Sequence, residues 1–433
     1  MKTFQAVLLA IFGFFIVMGV AAIATFGKFG GSGGDAVPAA GTIWGTLDTA
    51  LVGDILTLYN QDTDNSLSAV TYKEFSPDTF DTELIEALAA QRGPDAIILP
   101  HEYIMRYEDK IYTVPFTSMT ERTFRDTFAE GSEIYLTDEG VLALPILVDP
   151  LVMYWNRSLF NAASLALPPK AWDELVDLST KLTKTDPSFS VLQSTIALGG
   201  YENVTNAKEI LATLVMQAGN PITTRIPTQG VESILSDRLG FAEAPADSAI
   251  RFYTEFANPV KLVYSWNRAL PASLDMFLRG DLALYLGFAS ELLDIQEKNP
   301  NLNFDVARVP QVSDGPTKST FGKFYGIALM KQSDNVGGAF QAAFALSGAQ
   351  AGQLWSDKFL LSPVRRDLLA QKPTDAFKSI FYTEALIAHG FLDPSPTETD
   401  GILGTMISDI ASGRRGVSQA VGEADTRLQN LID

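Results

Sequence analysis

The chain has 433 residues, no cysteine, two histidines and a formal net charge of −19 at pH 7. The length suggests two or three folding units at roughly 150 residues each, enough to bury sizeable cores without covalent staples. Disulfides and thiolate metal sites are excluded, an HExxH zinc helix cannot be written with His101 and His389, and the acidic balance argues against a nucleic-acid backbone or an anionic lipid surface as partner.

Phe4 to Phe26 carries no charge. About 20 apolar residues span a bilayer, whereas a cleavable signal has a shorter core of about 7–15. Residues 1–28 are therefore read as an N-terminal transmembrane helix with the rest of the chain outside; Ala22-Ile23-Ala24 leaves cleavage as the other outcome. A lipid anchor on cysteine is ruled out by composition. Residues 29–40 form a Gly/Ser linker, and the whole run Gly27–Ala40 gives a reach of roughly 20 Å.

The remainder alternates strands and helices. Thr42–Trp44 predicts a strand, and Asp48 and Thr49 can cap a helix presenting Leu51, Ile55 and Leu58. A strand over Ala69–Phe75, a helix over Phe80–Gln91 ended by Gly93-Pro94, and the strand Asp95–Leu99 complete a βαβαβ pattern, which implies a mostly parallel sheet covered by helices. Leu144–Met153 is almost continuously apolar and predicts a buried strand, interrupted by the carboxylate of Asp149. Helices follow over Trp172–Leu182, Ala207–Ala218 and Ala246–Phe256. Ser273–Leu278 leads through Arg279-Gly280-Asp281 into the strand Leu282–Leu286. Val306–Pro310 and Phe321–Met330 read as strands, Ala339–Ala351 as a helix, and two apolar stripes mark C-terminal helices. Asp62-Thr63-Asp64-Asn65-Ser66 opens like a calcium loop, but Leu67 stands at its glycine position and Lys73 at its bidentate glutamate.

The opening IWGTLD followed by a helix and GPDAIILP, the segment LALPILVDPLVMYWNRSLFNAASLALPPKAWDEL from Leu142 to Leu175, and the late Pro363-Val364-Arg365-Arg366-Asp367 occur in an order that resembles family 1 extracellular solute-binding proteins, the maltose-binding-protein-like class. The resemblance covers almost everything after residue 41. It implies an α/β, two-lobed periplasmic-binding-protein-like fold with a hinge. Residues 41–148 plus 311–347 would form lobe 1 and residues 149–310 plus 348–433 lobe 2, with crossings near Val148–Val152, Ala307–Gln311 and Ser347–Gly352. Where relatives often carry Thr before the Trp172 helix, Ala171 stands here, so a side-chain cap is missing or comes from another residue.

Ligands of open α/β sheets sit beyond the carboxyl ends of the strands. Asp48 and Glu102 follow such ends, and by resemblance Glu102 fits an acidic ligand position, Phe288 a sugar-stacking position and Asp149 a polar ligand group at the hinge. Each also has a plain structural reading: helix cap or helix-start carboxylate, core ring, hinge hydrogen bond. Trp266 lies in VYSWNRALPAS, with no apolar periodicity around it, and is either a packing anchor or a ligand platform. The platform reading is preferred, since an aromatic face complements the C–H face of a pyranose, with Asn267 supplying polar contacts. Tyr201, after Gly199-Gly200, is a weaker candidate of the same kind.

The resemblance implies a substrate-binding protein of an ABC importer, working as a monomer with membrane permease subunits and needing no cofactor, whose small solute is a sugar or oligosaccharide. Polyamines are the other ligand class. A surface glycoside hydrolase and a sensor ectodomain are the rival functions, since paired carboxylates for hydrolysis arise easily among 51 acidic residues.

Overall fold

The computed structural model describes residues 38–433 except 64, 65 and 189. The predicted membrane helix falls outside these residues; among the described residues no helix is long and apolar enough to cross a membrane.

The first half builds as the periodicity predicts. Strand β1 (Ala40–Gly45) leads to Asp48, whose carboxylate accepts from Ala50 N and Leu51 N and so caps helix α1 (Thr49–Asp62). Strand β2 (Ala69–Glu74) is followed by helix α2 (Pro77–Ala89), which Ser76 caps with Pro77 in its first turn. Strand β3 (Ala96–Pro100) then pairs parallel with β1, as β2 does on the other side.

Strand β4 (Leu144–Asn156) holds the molecule together. All thirteen of its residues are buried. Beyond it come helix α3 (Leu175–Leu182), strand β5 (Val191–Ile196), helix α4 (Ala207–Gln217), the hairpin of β6 (Thr223–Ile226) and β7 (Gly230–Ser233), and helix α5 (Pro245–Glu255). Helix α6 (Ser273–Arg279) stops at Gly280, whose φ of 87° is the left-handed conformation a helix end needs. Strands β8 (Leu282–Phe288), β9 (Phe304–Ala307) and β10 (Thr320–Leu329) follow, then helices α7 (Val336–Leu346), α8 (Ala349–Phe359), α9 (Ala376–Ala385), α10 (Pro396–Ala411) and α11 (Val417–Ile432).

One sheet runs through in the order β2-β1-β3-β10-β4-β8-β5, but β4 divides it into two lobes. Its first half pairs antiparallel with β10, from Leu144 opposite Ile327 to Pro150 opposite Gly322. Its second half pairs with β8, from Leu151 opposite Phe288 to Trp155 opposite Leu284, and with β9. The partner changes between Pro150 and Leu151.

The later lobe boundaries differ from the expectation. Residues 311–319 stay with the second lobe: Ala171 bridges Gln311, and the buried amide of Gln217 donates to the carbonyls of Pro310 (3.1 Å) and Ser319 (2.7 Å). The return crossing therefore lies at the start of β10. Helix α8 packs on α1, and the short strand Ser362–Pro363 pairs with Leu147–Val148, so the chain after residue 348 remains with the first lobe. Helix α9 lies over β4, and the third crossing falls near Ala388–Asp393, after Ala388 and His389 have paired with the start of β10. The pattern misses this because the apolar faces of α7 and α8 do not say which sheet they cover. The cap doubtful in the sequence comes from Glu174, whose Oε1 accepts from Lys170 N and Ala171 N at 2.9 Å each.

Gln217 also accepts from Trp172 Nε1 at 2.7 Å, so one side chain satisfies three buried partners from separate segments. An unpartnered buried polar group costs about 1–3 kcal/mol. Gln217→Leu is expected to lower unfolding stability by at least about 3 kcal/mol in urea denaturation; a loss below about 1 kcal/mol would show that these groups are satisfied without Gln217.

Candidate functional site

The lobes meet over the carboxyl end of β3, where an open α/β sheet places its ligands. Glu102 emerges from the turn His101–Tyr103 directly after that strand. Across the cleft, α4 of the second lobe begins at Ala207 and brings Lys208 to Glu102: Nζ lies 3.0 Å from Glu102 Oε1 and 3.0 Å from Asp393 Oδ2. Lys323 approaches Glu102 Oε2 at 3.5 Å. On the sheet, Lys323 stands directly opposite Asp149 in the β10–β4 register, so the two side chains leave on the same face. Lys323 Nζ also lies 4.9 Å from the centroid of the Phe288 ring. Glu102, Asp149 and Phe288, far apart in sequence, thus converge on one lysine.

Burial and charge compete here. Burial alone would push the Glu102 carboxyl up, but Lys323 and Lys208 together overcome it and hold it at about 2. Burial opposes the charge of both lysines, and the carboxylates around them, Glu102 foremost, raise both above the ordinary lysine range. Asp149 is less well served: burial pushes it up to about 6, although Ser290 N donates to its Oδ1 at 3.0 Å and Lys323 lies nearby. Burial raises Asp393 and Glu209 as well. His101 is buried and held down to about 4 by desolvation; its Nδ1 accepts from Phe324 N, which puts the ring proton on Nε2, packed against Gly390. It is a neutral structural group.

The other predicted site residues are committed elsewhere. Asp48 caps α1. The Tyr201 hydroxyl donates to Asp400 Oδ1 at 2.7 Å, within the second lobe. Asn267 braces its own turn, donating to the Tyr264 hydroxyl and accepting from Ala269 N. Trp266 is fully buried; its Nε1 donates to Asn203 Oδ1 at 3.0 Å, and its ring packs against Gly200. The exposed platform expected from its polar loop is therefore a packing anchor. Ser265 N and Trp266 N both donate to Phe256 O, folding the loop back onto α5 and carrying the ring inward. Sequence reasoning missed Lys208, Lys323 and Asp393. The only local signal was Lys208 itself, a lysine in the first turn of a helix, where the positive end of the helix dipole repels it.

Two α/β lobes joined by three crossings, with charged groups from both lobes meeting in the cleft, have the architecture of a two-lobed solute-binding protein. The chain belongs to the family of bacterial extracellular solute-binding proteins, whose model matches residues 50–353. The fold is similar to that of a cyclo/maltodextrin-binding protein complexed with maltotetraose (TM-score 0.73, 15% identity, covering 94% of this chain and 99% of the other). It is equally similar to a cyclic alpha-maltosyl-1,6-maltose binding protein from Arthrobacter globiformis (0.73, 16%, 91% and 99%). An extracellular solute-binding protein from Staphylococcus aureus in complex with maltose scores 0.70 (16%, 91% and 97%). No curated protein matches the chain by sequence.

Two measurements check this geometry. Trp266→Ala should destabilise the fold by roughly 3–5 kcal/mol in thermal or urea unfolding, as loss of a buried Trp does; unchanged stability would return the ring to the cleft. Asp149 has a folded pKa above its unfolded value, so its contribution to stability is full below about pH 4 and lost as pH rises through about 6. Relative to Asp149→Asn, the natural protein should lose on the order of 2–3 kcal/mol between pH 4 and 7. Parallel urea titrations of the two proteins read this difference, and a pH-independent gap would place Asp149 in the normal range.

Proposed function

We propose that this protein is the substrate-binding component of an ABC importer and takes a sugar or oligosaccharide into the cleft between its lobes. The observation that carries the reading is the convergence of Glu102, Asp149 and Phe288 from three separate elements onto Lys323 at the carboxyl end of β3. Carboxylates and ammonium groups fixed in this way accept from and donate to the hydroxyls of a carbohydrate, and an aromatic edge covers its C–H surface. Structures of similar fold are named for maltodextrins and maltose, which supports this ligand class. Tyr103, next to Glu102 and exposed, adds an aromatic ring on the rim of the first lobe.

On this reading the protein works outside the cytoplasm as a monomer, held to the membrane through the apolar run Phe4–Phe26 and the Gly/Ser linker, and delivers solute to a pair of permease subunits. It binds without turnover. A polyamine is the second ligand class, because the carboxylates Glu102, Asp149, Glu209 and Asp393 outnumber the two lysines among them.

Calorimetric titration with maltose, maltotetraose and spermidine, followed by chromatography of the sugars, tests the reading. Saturable heat with a maltodextrin, a raised melting temperature and no shorter sugars are expected. Shorter products would make the protein a hydrolase, and a response to spermidine alone would replace the sugar.

A further inference from the structure

The second-lobe wall of the cleft is built from two pieces remote in the sequence, the end of β8 with Phe288 and the start of α4 with Lys208. A single carboxylate joins them. Glu291 opens the short helix Glu291–Lys298, just after β8. Its Oε1 accepts from Phe288 N at 2.8 Å and from Asn206 Nδ2 at 2.8 Å, and its Oε2 accepts from the Tyr285 hydroxyl. Asn206 immediately precedes α4 and stands two residues before Lys208. We infer that Glu291 is a positioning residue of the cleft: it fixes the start of α4 against the end of β8 and so sets where Lys208 and Phe288 stand relative to each other.

Departures from ordinary local behaviour support this role. Asparagine at the head of a helix normally turns its side chain to the free amides of that helix. Asn206 holds this place, makes no such cap, and gives its amide to Glu291 instead. Its backbone is left-handed, with φ 59° and ψ 32°, a conformation uncommon outside glycine. Gly287 supplies the room for the carboxylate. A Cβ at this position would lie 3.0 and 3.1 Å from the two oxygens of Glu291 and 2.5 Å from Tyr285 Cε1, so the carboxylate is seated against the strand where a side chain would displace it. The bond to Phe288 N, three residues away, would by itself make Glu291 a cap of its own turn; the bond to Asn206, 85 residues away, serves no such purpose. All these contacts lie within the second lobe and do not depend on how far apart the lobes stand. Their bearing on solute binding rests on the cleft reading given above, whereas the coupling of α4 to β8 does not.

Hydrogen–deuterium exchange on the full-length protein, read by peptide mass spectrometry, tests the coupling independently of any sugar. Glu291→Ala is expected to speed exchange in the peptide over residues 206–213 as well as in that over 284–290, while the peptide over 295–302, at the far end of the same short helix, keeps its wild-type rate. Glu291→Gln should restore slow exchange in both, because its oxygen can still accept from Phe288 N and Asn206 while its Nε2 donates to the Tyr285 hydroxyl. A response confined to 284–290 would make Glu291 a local cap and overturn the inference, and an even loosening of the whole second lobe would do the same. If Glu291→Ala does not fold, as judged by circular dichroism, Asn206→Gly keeps a left-handed backbone accessible, removes only the bond to Glu291, and should speed exchange over 284–290; an unchanged rate there overturns the inference. Calorimetric titration with maltotetraose then reads the consequence for binding. Folded Glu291→Ala should bind more weakly than the wild type, and equal affinity would remove the positioning role. A wild-type protein that gives no heat counts against the sugar reading alone, and the exchange result decides this one.

Discussion

The structure depends on one strand belonging to both lobes. β4 pairs with β10 over its first half and with β8 and β9 over its second, so both lobes hang on a single continuous backbone. Proline sits at the change of partners. A proline inside a central strand ordinarily costs a ladder bond, because it has no N–H to donate. At Pro150 that loss falls where the ladder is handed from one partner strand to the other, and its carbonyl is still taken by Ala289 N of the second lobe. The missing donor thus disturbs neither ladder, and the buried side chains along the whole strand fix each half in its own core.

The same strand sets the electrostatics of the cleft. Asp149 precedes that proline and faces Lys323 across the ladder. Lys323 in turn supports Glu102, which is also held by Lys208 from the other lobe. A buried charge without partners is costly, and here the partners come from different lobes. Glu102 keeps Lys323 within its own lobe and takes Lys208 from the other, so part of its charge is balanced from across the cleft.

Much of this was legible in the sequence. Periodicity placed β1, α1, β2, α2 and β3, and the uninterrupted apolar run gave β4 with its odd carboxylate. The motif order after residue 41 gave the family. Glu102, Asp149 and Phe288 were singled out because each follows or interrupts an apolar strand and matches a position of the resembled family, and the structure places all three around Lys323. Lys208 and Lys323 were not found, because a lysine in an amphipathic helix or on a strand reads as a solvated surface group; only contacts such as Lys208 to Asp393, 185 residues apart, reveal otherwise. Trp266 was misplaced for a related reason. Its burial comes from backbone bonds that fold a polar loop onto α5, and such bonds leave no periodic trace. The second-half lobe boundaries differ because α8, like α7, packs on the first lobe, and the apolar faces of these helices do not say which layer they cover.

Gln217 shows how little room some positions leave. Its oxygen receives the indole proton of Trp172 while its nitrogen faces the carbonyl oxygens of Pro310 and Ser319. The two ends of the amide are nearly equal in shape but opposite in polarity, and the surroundings admit one orientation only. Deamidation at this position would leave the outline of the side chain intact and set a carboxylate oxygen against two carbonyl lone pairs. Chemical ageing of a single nitrogen would thus attack the join between the α4 helix and the return crossing from within the interior.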